Sequence, residues 1–258
     1  MNKETYILVV QLPIWLMLDK NLKNQAFTAI CLTSLLTFSW AVPQTVLASE
    51  DKPREGLPGR RIGGGTRGEC FSNVGRLMAL IPETNVGFTK KAYPNFLFYL
   101  PQTSAPTMVE FVLQDENRHS VYETTFTKTN AGGVINFSLP GSKSLPPLAT
   151  GKKYNWYVSM ICDPENRAND IVVHGWVQRV ELDSNLTKKL EQTSPVERVN
   201  LYAKAGLWQD ALGTLAELRT TQPNNFRLTA NWTELLKSEK LDAIAQEPFL
   251  NIKVQPSP

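Results

Sequence analysis

Histidine and cysteine are scarce in this sequence: its 258 residues include two histidines, His119 and His174, and three cysteines. Neither histidine has a second histidine at the short spacing that zinc-binding motifs use. The sequence therefore contains no motif for a histidine-based metal centre, and we predict no bound cofactor.

Positive charge is also limited. The net charge at pH 7 is +3, from 27 Lys and Arg against 24 Asp and Glu. Nucleic-acid-binding proteins carry a marked basic excess, because they neutralise the phosphate backbone. This composition therefore gives no reason to predict a nucleic-acid partner.

A phosphate-binding loop is absent as well. Residues 59–70, "GRRIGGGTRGEC", are rich in glycine, but the nucleotide motif needs a lysine after its last glycine, with a strand before it and a helix after it. Here Glu69 follows Gly68, and Pro53 and Pro58 interrupt the preceding segment. The stretch therefore does not predict a nucleotide site.

The same stretch instead predicts a flexible linker rich in Gly, Arg and Pro over residues 49–69. Arg60, Arg61 and Arg67 could contact an anionic surface, or they could serve only to keep the linker solvated. Both interpretations remain open from the sequence.

The first part of the chain has the layout of a secretory signal peptide. Lys20 and Lys23 precede an apolar run over 26–42, and the small or branched residues Val46 and Ala48 suit cleavage after Ala48. We therefore predict a signal peptide over 1–48 and location in the periplasm or outside the cell. No stable membrane span is expected after cleavage, and a start of translation at Met17 would give a signal peptide of conventional length.

Export determines how the cysteines are interpreted. Cys31 would leave with the signal peptide, so the mature chain would retain Cys70 and Cys162. Two cysteines outside the cytoplasm most simply form one disulfide. A reactive pair of Cys162 with His174, with Asp170 orienting the ring, would require that this disulfide is absent.

Residues 70–182 consist of short alternating segments separated by Gly, Pro and Asn. Examples are "NFLFYLP", "TMVEFVLQDE" and "KYNWYVSMI", with apolar residues at every second position. This period predicts an antiparallel β-sandwich domain.

The stretch "LPPLATGKKYNWYVSMIC" resembles the corner of a fibronectin type III or immunoglobulin-like sandwich. The resemblance implies that the hydroxyl of Tyr154 bonds to backbone upstream of it and that Trp156 enters the core.

Residues 183–250 change to a helical period. Ser194, Pro195 and Glu197 form a helix-start signal. The residues from Tyr202 through Trp208 to Pro223 fall at the offsets of one tetratricopeptide repeat, which predicts a pair of packed helices. The fold class is thus α+β: a sandwich followed by a small helical bundle, with a disordered tail over 251–258.

Three segments together resemble a cyanobacterial exported family of unknown function, DUF928. They are "LPGRRIGGGTRGEC", "YNWYVSMICDPENRANDIVVHGWVQRV" and "SPVERVNLYAKAGLWQDALGTLAELR", and the resemblance runs from about Gly56 to Phe249. It implies a cyanobacterial source and contributes no catalytic residues.

The segment after Cys162 is the remaining candidate for chemistry. Asp163, Glu165 and Asp170 supply oxygens that could hold Ca²⁺. These residue types are also what a tight turn selects. No EF-hand spacing is present, so both interpretations remain.

Taken together, these features predict an exported, non-catalytic binding or assembly module whose partner is an unknown protein or another component of the cell envelope. The alternative is a secreted hydrolase that acts on glycan or peptide through acidic residues. A cleft lined by convergent carboxylates would favour the hydrolase, and a filled contact between sheet and helices would favour the binding module.

Overall fold

The computed structural model describes residues 56–63, 75–141 and 145–252. The predicted signal peptide, Arg67, Cys70 and the last six residues of the predicted tail lie outside the described residues. Within the described ranges, no helix has the length and apolarity needed to cross a membrane.

The described chain forms eight strands followed by four α-helices. The strands are β1 (Met78–Ala79), β2 (Val86–Thr89), β3 (Asn95–Leu100), β4 (Thr107–Gln114), β5 (Ser120–Lys128), β6 (Gly133–Ser138), β7 (Lys153–Met160) and β8 (Ile171–Arg179). The helices are α1 (Ser184–Glu191), α2 (Pro195–Lys204), α3 (Trp208–Thr221) and α4 (Phe226–Ser238). Short 3-10 helices cover Arg167–Asn169 and Asp242–Ile244.

Two sheets contain the strands. One has three strands in the order β1-β3-β6, and the other has five in the order β2-β8-β7-β4-β5. All pairs of strands are antiparallel except β2 with β8, which is parallel. The class α+β with mostly antiparallel sheets is therefore confirmed.

Side chains from both sheets share one hydrophobic cluster. Phe96 and Phe98 of β3 contribute to it together with Phe111 of β4 and Trp156 of β7, all without solvent exposure. The ring centroids of Phe96 and Trp156 are 5.4 Å apart. The period-2 pattern of the sequence thus identified the residues of these strands that enter this cluster.

The tyrosine at the start of β7 has the bond that the corner resemblance implies. Tyr154 Oη accepts a hydrogen bond from the backbone N–H of Ala149 at 2.9 Å. Arg179 Nη1 donates to the carbonyl of Leu148 at 2.7 Å, which holds the same connection from the β8 side. The loop before β7 is therefore fastened to the five-stranded sheet at two places.

The helices pack against the other side of the three-stranded sheet. Leu97 and Val134 point from this sheet into a second hydrophobic cluster that includes Leu212, Leu215 and Trp232 of α3 and α4. Trp208 Nε1 donates to the carbonyl of Leu80 at 2.9 Å. The contact between sheet and helices is therefore filled by side chains, which also explains why nearly every residue of β3 is buried.

The helix signals in the sequence are confirmed. Ser194 caps α2, Glu197 completes the capping box, and Pro195 occupies the first turn. Gly206 has φ of +68°, a backbone conformation that favours glycine, in the turn between α2 and α3.

Two segments outside these elements also join the sheets. Residues 248–250 pair with β6: Val134 N donates to Pro248 O at 2.7 Å, and Leu250 N donates to Val134 O at 2.8 Å. Residues 56–63, predicted as part of a flexible linker, lie against β8 and β1. Open strand edges offer unpaired backbone groups, and these two segments satisfy some of them.

Candidate functional site

The outward side of the five-stranded sheet carries aromatic, aliphatic and amide side chains. Successive residues of a strand point to opposite sides, so the residues between the core positions of β4, β7 and β8 form this surface. We call it the sheet face and define it by Met108, Val112, Asn155, Tyr157, His174 and Trp176.

Strand register places the central members of the sheet face side by side. Val112 lies opposite Tyr157, and Tyr157 lies opposite His174. The Tyr157 and His174 rings stack with centroids 5.2 Å apart and planes at 19°. Asn155 Nδ2 donates to Tyr157 Oη at 2.8 Å, and Trp176 Nε1 donates to the carbonyl of Pro58 at 2.9 Å. The three rings are therefore held in defined orientations.

The centre of the sheet face is close to electrically neutral. Burial lowers the pKa of His174, and the positive charge of Arg60 lowers it further, so the imidazole is uncharged at neutral pH. Glu110 lies on the same side of β4 as Met108 and Val112 and accepts hydrogen bonds from Arg167 at 2.8 and 3.2 Å. These bonds, and the bond from Arg167 to Asp170, raise the pKa of Arg167 and place its positive charge beside the two carboxylates.

This composition is typical of a surface that binds another macromolecule. Tyr, Trp, Met and Arg are enriched in protein–protein interfaces, and Tyr, Trp and Arg supply most of their hot spots. Met108 is 41% exposed, which is high for a large apolar side chain. Rings that are already ordered also lose little conformational entropy when a partner binds.

The carboxylates predicted as possible metal ligands take part in a turn beside the sheet face. Asp163 Oδ1 accepts from the backbone N–H of Glu165 at 2.9 Å. Asp170 Oδ1 accepts from the backbone N–H of Cys162 at 3.0 Å, and its other oxygen pairs with Arg167. Within the described ranges, no three His, Cys, Asp or Glu side chains are grouped so that they could hold a metal ion. The geometry is that of a structural turn.

The predicted reactive pair is not assembled around His174. The ring of His174 stacks on Tyr157, and Asp170 bonds to Arg167 and to the Cys162 backbone. Cys162 itself packs against the core between the sheets. Its disulfide with Cys70 stays a prediction, because Cys70 lies outside the described residues.

The arginines of the predicted linker have separate environments. Arg60 is exposed and pairs through its backbone with His174. Arg61 is half-buried, and its Nη2 donates to the carbonyl of Glu239 at 2.5 Å. Burial lowers the pKa of Arg61, and the charges of Glu239 and Glu83 partly oppose this shift. Of these two arginines, Arg60 is the exposed one.

A shallow pocket of about 220 Å³ lies at the turn between β4 and β5. Its acidic members are Asp115 and Glu116. Asp115 Oδ1 accepts hydrogen bonds from the backbone N–H groups of His119 and Asn117. These bonds lower the pKa of Asp115, and the bond from His119 has the larger effect. Glu116 pairs with Lys152 at 3.5 Å. A general acid needs a raised pKa. The carboxyl of Asp115, whose pKa is lowered, is therefore better suited to holding the turn.

Two buried ionisable residues were missed by the sequence reasoning. Asp210 lies in the first turn of α3 with no solvent exposure, and Lys128 at the end of β5 is 2% exposed. Lys128 Nζ donates to Thr103 Oγ1 at 2.9 Å, and burial lowers the pKa of Lys128. The alternation of β5, which places Phe126 and Lys128 on the same side, could have identified the lysine. No sequence pattern indicated that Asp210 is buried, because acidic residues are common in the first turns of helices.

The sequence model of a family described as "Domain of Unknown Function (DUF928)" matches residues 62–249. This match spans most of the chain, so the chain belongs to that family. No curated protein matches the sequence.

One similar solved structure is the crystal structure of a family 76 glycoside hydrolase from a bovine Bacteroides thetaiotaomicron strain. It has 16% sequence identity and a TM-score of 0.24, and the alignment covers 49% of this chain. The aligned part is 23% of that structure's length. A TM-score this low does not demonstrate a shared fold.

Proposed function

We propose that this member of the DUF928 family is an exported, non-catalytic module that binds or assembles with a protein or another component of a cyanobacterial cell envelope. The observation that carries the proposal is the sheet face. Its neutral centre combines the stacked rings of Tyr157 and His174 with Trp176 and an exposed Met108. Such a surface suits a partner whose own contact area is mixed apolar and polar.

The proposed export rests on the layout of residues 1–48, which would place the mature chain in the periplasm or outside the cell. We also propose the Cys70–Cys162 disulfide, which suits that compartment. It would fasten the start of the first domain to the strand that carries Tyr154 and Trp156.

The proposed architecture is a β-sandwich over 70–182 followed by a tetratricopeptide-like helical segment over 183–250. Shared core residues from the two sheets support the sandwich. The close contact of α2 with α3 across the Gly206 turn supports the helical pair. The filled contact between the three-stranded sheet and the helices favours binding over catalysis.

A hydrolase would need two acidic groups with different protonation around a cleft. The pocket beside Asp115 and Glu116 is the place where such a pair would be sought. Asp115 has a lowered pKa and Glu116 pairs with Lys152, which fits a structural role better. Incubation of the mature protein with peptidoglycan and peptide substrates, followed by product analysis, tests this alternative directly.

The binding proposal is tested by comparing baits in affinity capture from periplasmic extract. The mature wild-type chain is used beside Met108→Glu, which adds a charge to the sheet face, and Tyr157→Ala, which removes a ring. Phe226→Ala is the matched control, because Phe226 is a 79% exposed aromatic residue on α4. Thermal unfolding confirms that each bait is folded.

We expect a component that wild type and Phe226→Ala retain and that both sheet-face variants lose. If all four folded baits retain the same components, or none retains any, the sheet face is not the binding surface. Products released from glycan or peptide by the wild-type chain would contradict the non-catalytic assignment.

A further inference from the structure

Residues 57–63 lie along strand edges of both sheets. Arg60 and His174 exchange two backbone hydrogen bonds of 3.0 Å each, which makes Arg60 an antiparallel partner of β8. Ile62 is an antiparallel partner of Met78 of β1, where the flanking residues make the bonds: Gly63 N donates to Leu77 O at 2.8 Å, and Ala79 N donates to Arg61 O at 2.7 Å. We call residues 57–63 the edge strand.

The edge strand lies beside a part of β8 that its neighbour β2 does not pair with. β2 pairs only with the second half of β8, from Trp176 to Arg179. The first half of β8 therefore presents backbone groups on that side, and Arg60 satisfies those of His174. This arrangement is β-augmentation within one chain, a mode of recognition that also operates between chains.

Backbone atoms of the edge strand make most of its contacts. Leu57 N donates to Thr84 O at 2.8 Å, and Leu57 O accepts from Asn85 Nδ2 at 3.0 Å. At the other end, Gly63 N donates to Leu77 O at 2.8 Å. Main-chain bonds of this kind supply affinity without selecting a sequence.

Selectivity comes from two glycines of the edge strand. A Cβ atom at Gly59 would lie 2.6 Å from Asn85 Cβ, and one at Gly63 would lie 2.5 Å from Ile171 Cγ2. Both distances are shorter than van der Waals contact. The groove that β8, β1 and the loop at Thr84 and Asn85 form therefore accepts a strand with glycine at these two positions, four residues apart. The chain itself carries such a segment, "LPGRRIG".

We propose that the groove formed by β8, β1 and the loop at Thr84 and Asn85 is an acceptor for the edge strand of a second copy of this chain. Every copy carries both the donor and the acceptor, so exchange recreates each contact between molecules and yields a closed dimer.

This inference goes beyond the proposed function, because it concerns self-assembly and holds whatever partner the sheet face binds. The Tyr157→Ala and Met108→Glu substitutions that test the sheet face leave the backbone pairing of the edge strand intact. The two proposals can therefore fail separately.

Introduced cysteines test the exchange in the full mature chain. Residues 60 and 174 form a hydrogen-bonded antiparallel pair, whose Cα atoms are about 5.5 Å apart. This distance is within the range of a disulfide. Chains carrying Arg60→Cys are mixed at high concentration with chains carrying His174→Cys, incubated and oxidised. Products are separated without reductant, and the linked peptides are identified by mass spectrometry.

We expect a covalent heterodimer joined through the two introduced cysteines. Thr127→Cys, an exposed position on β5, replaces His174→Cys in the control mixture and should give only the background of random collision. Adding Gly63→Val to the Arg60→Cys chain should abolish the heterodimer, because the valine side chain would collide with Ile171.

A double variant with both substitutions in one chain completes the test. If it forms the disulfide within a monomer while the mixture gives no heterodimer above the control, the edge strand does not exchange and the proposal is wrong. If neither the double variant nor the mixture forms the disulfide, the edge strand does not occupy the groove, which overturns the proposal as well.

Discussion

Replacing Asp210 with asparagine should make the free energy of unfolding less dependent on pH. Asp210 Oδ2 accepts from the backbone N–H of Lys90 at 2.9 Å, while Oδ1 has no hydrogen-bond partner among the described residues. Burial raises the pKa of this carboxyl above its ordinary value of 3.8. The bonds from Lys90 and Thr89, and the charges of Lys91 and Lys90, oppose the shift.

The direction of the pH effect follows from proton binding. The folded state holds the Asp210 proton more tightly than the unfolded chain does. Its contribution to stability is therefore complete below the unfolded pKa, and it is lost as the pH rises through the raised folded pKa. Each unit by which the pKa is raised corresponds to about 1.4 kcal/mol of unfolding free energy.

Asparagine keeps an oxygen for the Lys90 N–H but carries no charge. At pH 8 we expect Asp210→Asn to be more stable than wild type, because the variant does not bury a negative charge. This advantage should shrink as the pH falls through the raised pKa of Asp210, because protonation then removes the charge from the wild-type fold. Urea unfolding followed by tryptophan fluorescence at pH 4, 6 and 8 measures the difference.

Asp210→Ala is the control, because it leaves the Lys90 N–H unpaired. This substitution should lower the free energy of unfolding by about 1 to 3 kcal/mol, as is usual for a buried unsatisfied donor. A stability difference between wild type and Asp210→Asn that stays constant from pH 4 to pH 8 would refute the argument. Asp210 would then titrate alike in the folded and unfolded chains.

Three further predictions concern Lys128, Tyr154 and the two cysteines of the mature chain. Lys128→Met should raise the urea midpoint at pH 7, because it removes an ammonium that burial makes costly. The gain should narrow as the pH rises through the lowered pKa of the folded state toward the ordinary lysine pKa, because the neutral amine does not carry this cost. A lower midpoint for a folded variant would show that the ammonium is well solvated. Tyr154→Phe should lower the free energy of unfolding by on the order of 1 to 2 kcal/mol, because the Ala149 N–H loses its acceptor. An unchanged urea midpoint would contradict a stabilising role for this bond. Mass spectrometry of unreduced mature protein should find Cys70 linked to Cys162 with no free thiol, and two alkylatable cysteines would disprove the disulfide.

Local patterns in the sequence determined the type of each main element and its buried side. Alternation in β4 and β7 identified the residues that enter the core, because successive side chains of a strand point to opposite sides. The signal at Ser194, Pro195 and Glu197 located the start of α2, because a cap depends on neighbouring residues alone. The same alternation placed Tyr157 and His174 on the outward side of their strands.

Only the tertiary structure decided which elements became neighbours. Alternation does not say which strand pairs with which, so the parallel pairing of β2 with β8 and the stacking of Tyr157 on His174 depend on long-range register. The residues around Gly63 have the composition of a flexible linker, yet their backbone completes open edges of two sheets. Asp210 has the local signature of an ordinary first-turn residue, and its burial arises because α3 packs against β2 and β3. Composition and period are local properties, whereas strand neighbours and burial depend on contacts between residues far apart in the chain.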